Sequence, residues 1–137
     1  MIVADAKVIA YWLIEGENTA NARRLFDIDP VWIVPALCRH ELANVIASYV
    51  KHQAMLVSEV SSLWQNLELL INGSEYELDL DAVIALAVEK NLSAYDAQYL
   101  FLAMSRDIPL ITQDKKLIAA VDTAFSISAY LNHQGMV

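Results

Sequence analysis

The sequence predicts an α/β protein in which a short, mostly parallel sheet is covered by helices on both faces. Three observations predict this class. Short apolar runs alternate with longer amphipathic stretches along the chain, which is typical of parallel strands joined by helices. With only 3 Gly and 3 Pro, few positions interrupt a helix. A length of 137 residues suits one domain, and we expect that domain to span 1–137.

The first half of the chain predicts two strands and four helices. Pro35 stops the second strand and suits the first turn of the helix that follows it. Ser58 is a suitable N-cap for the fourth helix. We therefore expect strands at 2–4 and 32–34, and helices at 8–14, 19–26, 35–52 and 58–71.

The second half predicts three strands and three helices. Asn72-Gly73-Ser74 reads as a turn. Ser93 opens a helix, and the residues Ser93-Ala94-Tyr95-Asp96 match a capping box with Asp in place of Glu or Gln. We expect strands at 76–78, 109–112 and 124–127, and helices at 81–90, 95–106 and 115–121.

The charge of the chain limits how it can bind nucleic acid. The formal charge is 9 − 17 = −8, which argues against binding through a large basic surface. It does not exclude a nuclease, because a bound cation brings positive charge to the phosphate. A hydrophobic content of 57% and a mean hydropathy of +0.37 favour an oligomer or partner interface.

Other features predict a cytoplasmic protein that does not cross a membrane. The longest apolar stretches are far shorter than the ~20 residues of a spanning helix. The start of the chain lacks the basic and apolar regions of a secretory signal. The single cysteine, Cys38, cannot form an internal disulfide or a cysteine-based zinc site, and we expect it in the core.

Two aspartates follow predicted strands. Asp5 comes directly after the first strand, and Asp114 follows the strand at 109–112. In an open parallel sheet both would lie at the edge formed by the carboxyl ends of the strands, where such proteins bind ligands. An Asp just ahead of a helix also commonly caps the free N–H groups of that helix.

Two further carboxylates lie on predicted helices. Glu41 is four residues from both Leu37 and Val45, at the edge of the apolar face of its helix. It either enters a site or pairs with Arg39 or His40. Asp96 lies in the first turn of its helix, where an anion is favoured and can be oriented toward a cation.

The four carboxylates together predict a divalent metal site. At ~5 Å and an effective dielectric near 20, each close pair of charges costs about 3 kcal/mol, so a cation or raised pKa values must compensate. Oxygen ligands without clustered His or Cys favour Mg²⁺ or Mn²⁺ over zinc. Such a site is suited to hydrolysing phosphodiesters.

Four segments around these carboxylates form a set. They are Ile2-Val3-Ala4-Asp5-Ala6, Pro35 through Glu41-Leu42-Ala43-Asn44-Val45, Leu92-Ser93-Ala94-Tyr95-Asp96-Ala97 followed by Tyr99-Leu100 and Leu102-Ala103, and Pro109-Leu110-Ile111-Thr112-Gln113-Asp114. The set resembles the PIN domain from end to end, and in particular the nuclease toxins of the VapC type from bacterial and archaeal toxin–antitoxin pairs. All four family carboxylates are present in the family's order.

The resemblance implies a PIN-like three-layer α/β/α sandwich and a metal-dependent endoribonuclease. It assigns Asp5, Glu41, Asp96 and Asp114 as catalytic residues and as ligands of Mg²⁺ or Mn²⁺, with Thr112 positioning Asp114 or a water. It also implies an RNA substrate, a homodimer and an antitoxin protein that inserts a segment toward the acidic pocket.

One residue departs from the family pattern. Two positions after the first Asp the family usually has Ser or Asn, and here the residue is Lys7. The alternative interpretation is therefore an inactive or weakly active binding module of the same fold, in which Lys7 competes with the metal. A third is a phosphoryl-transfer enzyme or receiver-like domain with Asp5 as nucleophile. It would need a second Asp beside the first or a basic residue after a later strand, and Asp5-Ala6-Lys7 supplies no adjacent carboxylate.

Several cations are candidates for holding substrate phosphates: Lys115, Lys116, Arg39 and Lys51. His40 is next to Glu41, but neighbouring helical residues point about 100° apart. We therefore expect the His40 ring to point away from the pocket.

Overall fold

The five strands lie side by side in one parallel sheet. The computed structural model describes residues 1–135. The strands are β1 (Ile2–Ala4), β2 (Trp32–Pro35), β3 (Glu75–Tyr76), β4 (Leu110–Ile111) and β5 (Ala124–Phe125). Their order across the sheet is β3-β2-β1-β4-β5, and every neighbouring pair is parallel. The predicted parallel sheet is confirmed.

Helices connect the strands and cover the sheet. They are α1 (Ala6–Leu13), α2 (Thr19–Ile28), α3 (Cys38–Lys51), α4 (Val60–Ile71), α5 (Leu80–Lys90), α6 (Ala94–Arg106), α7 (Lys115–Ala120) and α8 (Ile127–His133). Right-handed crossovers put the helices that follow β1 and β2 on one face and those between β3 and β4 on the other. The layers are helix, sheet and helix, as the α/β/α prediction requires.

The core lies between the sheet and its helices. All three residues of β1 are fully buried, as expected for the central strand of a sheet covered on both faces. Helix α6 packs against β1, β2 and β4, while α4 packs against β2. Cys38 is also fully buried, which confirms its predicted place in the core. Burial raises the pKa of the Cys38 thiol to about 12.

The order of the strands creates a crevice beside β1. The chain leaves β1 toward β2 on one side, and returns after β3 to add β4 on the other side. In sheets of this kind ligands bind outside the carboxyl ends of the strands, at the point where the order reverses. That point lies between β1 and β4. The order also differs from the 2-1-3-4-5 order of receiver-like domains, so the receiver-like interpretation is wrong.

Helix α3 begins later than the sequence predicts. Pro35 is the last residue of β2, opposite Tyr76, and the helix starts at Cys38. The N–H groups of Val34 and Ala36 donate to the β3 side, to Ser74 O and Tyr76 O. The nitrogen of Pro35 lies between these two donors, so its missing hydrogen removes no bond to β3.

Two boundaries near the middle of the chain also shift. Ser58 lies within a 3₁₀ turn, Val57–Glu59, and does not cap α4, which starts at Val60. Strand β3 covers Glu75–Tyr76 in place of 76–78. Asp79 then caps α5 by accepting a bond from the Asp81 N–H at 3.1 Å.

The structure has a helix near the end of the chain that the sequence does not predict. The predicted strand at 124–127 is shorter, and α8 begins at Ile127. Ser126 caps it by accepting a hydrogen bond from the Ala129 N–H at 3.1 Å. Helix α8 packs against α2 and β5.

Within residues 1–135, no helix has both the length and the apolar character needed to cross a lipid bilayer.

Candidate active site

The four predicted carboxylates line one cleft. Its volume is about 550 Å³. Asp5 and Asp114 enter it from the ends of β1 and β4, and Glu41 and Asp96 enter from α3 and α6. The cleft is completed by Ala6, Lys7, Asn44, Val45, Gln113 and Lys115. The fold thus brings together all four residues that the sequence singles out.

Asp5 is held by a buried threonine. Its backbone places it at the N-cap of α1, but its side chain makes no capping hydrogen bond. Its Oδ2 atom instead accepts a hydrogen bond of 2.6 Å from the hydroxyl of Thr112. The Asp5 N–H donates to Ile111 O at 3.0 Å, which joins the ends of β1 and β4. The capping interpretation of Asp5 is therefore wrong.

The same threonine connects Asp5 to Asp114. Thr112 is fully buried, and its Oγ1 atom accepts a hydrogen bond from the Asp114 N–H at 3.0 Å. Asp114 does cap its helix, because its Oδ1 atom accepts from the Lys116 N–H at 2.8 Å. The side chain of Asp114 thus caps α7 and lines the cleft at once, which leaves Oδ2 free of that cap.

Glu41 is held by a tyrosine for which the sequence predicts no role in the site. The Tyr99 hydroxyl donates a hydrogen bond of 2.6 Å to Glu41 Oε1. Tyr99 is 1% exposed, and it lies three residues after Asp96 on α6. The signal was present in the sequence, because residues three apart lie on neighbouring parts of one helix face. A buried tyrosine hydroxyl also requires a partner.

Asp96 lies in the first turn of α6. Its N–H donates to the Ser93 hydroxyl at 3.0 Å, which is half of the predicted capping box. The carboxylate itself lines the cleft. The start of α6 therefore orients this carboxylate toward Asp5 and Asp114, whose charges act on it.

Burial and mutual repulsion make three of these carboxyls harder to ionise. Burial is the largest cause that raises the pKa of Asp5, and the hydrogen bond from Thr112 opposes it. Burial also leads in raising the pKa of Glu41, with smaller contributions from Asp5 and Asp96. For Asp96 the pKa is raised by burial and then by the charges of Asp114 and Asp5. A nearby cation would lower the pKa of each carboxyl and stabilise its ionised form.

The donor set fits a hard divalent cation. The groups that converge are carboxylate oxygens, which Mg²⁺ and Mn²⁺ accept and zinc disfavours relative to His and Cys. Within residues 1–135, no three Asp, Glu, His or Cys side chains are placed to hold one ion together. An ion in this cleft would therefore complete its shell with water, as Mg²⁺ commonly does.

Lys7 lines the cleft but remains exposed. The ion pairs found within residues 1–135 involve the N-terminal amine, Arg23 and Arg39, and do not include Lys7. Its charge is the smallest of the influences on the pKa of Asp5, which it lowers. Lys7 therefore does not occupy the place of a metal among the carboxylates.

Arg39 is engaged elsewhere, so its predicted role with substrate phosphates is wrong. Its guanidinium pairs with Glu75, with an Nε–Oε1 distance of 2.9 Å, and also with Glu68. It additionally lies over the ring of Trp64, with the guanidinium carbon 5.9 Å from the ring centroid. The group ties α3 to α4 and β3. The alternative that Glu41 pairs with Arg39 is excluded as well.

Two other predicted positions lie apart from the carboxylates. Lys51 lines an apolar groove between α3 and α4, away from the acidic cleft. His40 is exposed on α3, in agreement with the expectation that its ring points away from the pocket.

The sequence matches the family model described as "PIN domain" over residues 2–123. The match contains all four cleft carboxylates, from Asp5 to Asp114. It covers most of the chain, so it shows the family to which the chain belongs.

Two curated relatives come from Pyrobaculum aerophilum. The chain is 28% identical to Ribonuclease VapC3 over 120 residues, which cover 85% of this chain and 91% of that protein. It is 40% identical to Exonuclease VapC9 over 52 residues, which cover 38% of this chain and 39% of that protein. The second match thus spans well under half the length of the relative.

Solved structures share the fold. PAE2754 from P. aerophilum superposes with a TM-score of 0.78 at 21% identity, over 99% of this chain and 90% of that one. FitAcB from Neisseria gonorrhoeae gives a TM-score of 0.63 at 18% identity, over 93% and 99% of the two chains. These likenesses concern the fold. Together with the family match, they confirm the resemblance to the PIN domain drawn from the sequence, and the chain belongs to the PIN-domain family, with two proteins named VapC among its relatives.

Proposed function

We propose that this chain is a metal-dependent endoribonuclease, the toxin of a toxin–antitoxin pair. The observation that supports the proposal is the convergence of Asp5, Glu41, Asp96 and Asp114 on one cleft at the strand switch point. The names of its relatives, a ribonuclease and an exonuclease, agree with a phosphodiester substrate. We expect the protein to act in the cytoplasm.

The four carboxylates would hold one or two Mg²⁺ or Mn²⁺ ions. A bound ion would lower the pKa of a water and offset the charge that develops on the phosphate during in-line attack. Neighbouring side chains orient the carboxylates for this role. Thr112 fixes one oxygen of Asp5, and Tyr99 fixes one oxygen of Glu41, so the second oxygen of each carboxylate is left for the cleft.

Neutral and positive side chains complete the substrate side of the cleft. Asn44 and Gln113 carry amide donors, and Lys7 and Lys115 carry ammonium groups. Donors of this kind commonly contact phosphate and sugar oxygens. They also offset the repulsion between an acidic protein and a polyanion. Lys7 therefore fits a substrate contact better than it fits inactivation of the site.

The first experiment is cleavage of mixed structured RNAs by the purified protein with Mn²⁺ and with EDTA. We expect cutting that requires the metal, survives Asp27→Asn and is lost in Asp96→Asn. Asp27 is an exposed aspartate on α2, so it controls for the loss of one negative charge. Cutting that persists in EDTA, or that survives Asp96→Asn, would contradict the proposed site.

A circular RNA separates an endonuclease from an exonuclease. An endonuclease opens the circle, whereas an exonuclease needs a free end and leaves it intact. We expect linear product from the circle with Mn²⁺. An intact circle beside degraded linear RNA would assign the chain an exonuclease activity, and DNA of the same sequence tests whether the sugar matters.

Lys7→Ser tests the alternative function directly. Ser is one of the two residues that the family usually has at this position, and we expect it to leave metal-dependent cutting within an order of magnitude of the wild type. A wild-type chain that cuts nothing, together with an active Lys7→Ser variant, would favour the inactive binding module.

We also propose a homodimer and an antitoxin partner. Helix α5 exposes Leu80, Ile84 and Val88 by 56%, 55% and 79%. Their spacing of four residues puts them on one stripe, which supports coverage by another protein surface. We expect a dimer in sedimentation equilibrium, weakened by Ile84→Lys. A wild-type monomer would contradict the homodimer.

A further inference from the structure

The lysines of this chain are concentrated beside the acidic cleft. Lys7 and Lys115 line the cleft itself. Lys90 and Lys116 line a second groove of about 270 Å³. The fifth lysine, Lys51, lies in the apolar groove between α3 and α4. Four of the five lysines thus border two neighbouring depressions in a protein of net charge −8.

The second groove, which we call the lysine groove, lies between the end of α5 and α7. Its walls are Lys90, Asn91, Leu92, Lys116, Ala119 and Ala120. No carboxylate is among them. Asn91 ends α5 in a left-handed conformation with φ of 54°. Its side-chain amide is a further hydrogen-bond donor in the groove, beside the two ammonium groups.

The ammonium groups of this groove form no ion pair within residues 1–135. Of the pairs formed within residues 1–135, none involves a lysine. The arginines are used differently: Arg39 pairs with two glutamates, Arg23 pairs with Glu15, and Arg106 lies over the ring of Tyr76. The positive charge that remains for a ligand is therefore largely carried by the lysines.

We propose that the lysine groove binds the phosphates of the single RNA strand that flanks the scissile bond, an inference that rests on the proposed ribonuclease function. The two depressions are linked along the chain, because Lys115 lines one and Lys116 lines the other. A strand whose scissile phosphate lies at the carboxylates would continue past the start of α7 into the groove. Backbone contacts of this kind position a strand without reading its sequence.

The acidity of the remaining surface favours this path for the RNA strand. The chain has 17 acidic residues against 9 basic ones, so a polyanion is repelled over most of the protein. Local clusters of unpaired cations then decide where the strand can lie. Acidic residues are absent from the lining of the lysine groove, so its walls do not repel a phosphate strand that leaves the cleft past Lys115.

Two measurements test the groove. Amide chemical shifts of the wild-type protein in EDTA, which prevents cutting, are followed during titration with oligouridylates of roughly 4 to 16 nucleotides. We expect the longer strands to shift residues 90–92 and 116–120. Lys90→Gln and Lys116→Gln should each lower the salt slope of binding by about 0.7, and Lys51→Gln should leave that slope unchanged.

Cleavage with Mn²⁺ separates the two proposals. Lys90→Gln and Lys116→Gln should raise KM for long RNA with kcat unchanged, while Lys51→Gln should alter neither. A wild-type chain that cuts no RNA contradicts the ribonuclease. A chain that cuts RNA but keeps its KM after both groove substitutions, or whose shifts stay outside the groove, contradicts the lysine groove.

Discussion

The hydroxyl of Tyr99 lies 2.6 Å from Oε1 of Glu41 and donates a hydrogen bond to it. Tyr99 belongs to α6 and Glu41 to α3, so the bond joins two helices that each supply a carboxylate to the cleft. Burial raises the pKa of the Tyr99 hydroxyl far above its ordinary range. The hydroxyl therefore keeps its proton and acts as a fixed donor to the carboxylate.

Tyr99→Phe removes this donor and keeps the ring in the core. We expect weaker Mn²⁺ binding and a lower kcat with KM for RNA unchanged, because Glu41 loses its orientation while the substrate contacts remain. The free energy of unfolding should fall by about 0.5–1.5 kcal/mol. Mn²⁺ titration followed by electron paramagnetic resonance measures the affinity. Tyr95→Phe, at a position 64% exposed on the same helix, is the matched control. Unchanged Mn²⁺ affinity would refute the positioning role.

Thr112→Val and Thr112→Ser separate the hydroxyl of this residue from its volume. Valine has nearly the same shape but leaves Asp5 Oδ2 and the Asp114 N–H without their buried partner. We expect Thr112→Val to lower the free energy of unfolding by about 1–3 kcal/mol and to reduce cleavage. Thr112→Ser keeps both hydrogen bonds and should retain most of the activity. Urea denaturation and initial rates check this, and equal losses in the two variants would argue against the hydroxyl.

Asp96→Asn should stabilise the metal-free protein near neutral pH. The pKa of Asp96 is raised in the fold, so the folded state holds the proton more tightly than the unfolded chain. The stability from this group is fully present below the ordinary Asp pKa of about 4 and is lost as pH rises through the folded pKa. Removing the charge should raise the free energy of unfolding at neutral pH, with little gain at acidic pH. Thermal denaturation in EDTA across pH measures it. Asp27→Asn is the control, and a gain that does not depend on pH would contradict the electrostatic cause.

Arg39→Gln should destabilise the fold and spare RNA binding. The substitution leaves Glu68 and Glu75 without the guanidinium that joins them, so we expect the free energy of unfolding to fall. Arg39→Lys should not restore the loss, because an ammonium cannot bond two carboxylates with the geometry of a guanidinium. Arg24→Gln, at an exposed position on α2, should change stability by less than about 0.5 kcal/mol. If Arg39→Gln bound RNA more weakly at temperatures where it stays folded, Arg39 would be a substrate contact.

The carboxylates of the cleft could be predicted from the sequence because each lies at a boundary between elements. Asp5 and Asp114 follow apolar strands, and the carboxyl ends of parallel strands share an edge. Their supporting partners were harder to predict. The spacing of Tyr99 from Asp96 indicates a place near the cleft, but the identity of its partner, Glu41, follows from how α6 and α3 pack in the fold.

The errors in the fold arose where local signals allowed two structures. Pro35 fits the first turn of a helix, but the register of β2 against β3 decided that it ends the strand. The apolar run at 124–127 predicts one strand, because short apolar runs do not distinguish strands from helices. Ser126 followed by Ile127, Tyr130 and Leu131 carried the cap and spacing of a helix.

The bond between Thr112 and Asp5 spans 107 positions of the chain. During synthesis Asp5 leaves the ribosome 107 residues before its partner Thr112, which directly follows β4. A growing chain therefore carries an incomplete cleft until those residues have been added. If the protein is the ribonuclease that we propose, this order of synthesis would keep each molecule inactive beside the very RNA from which it is being made.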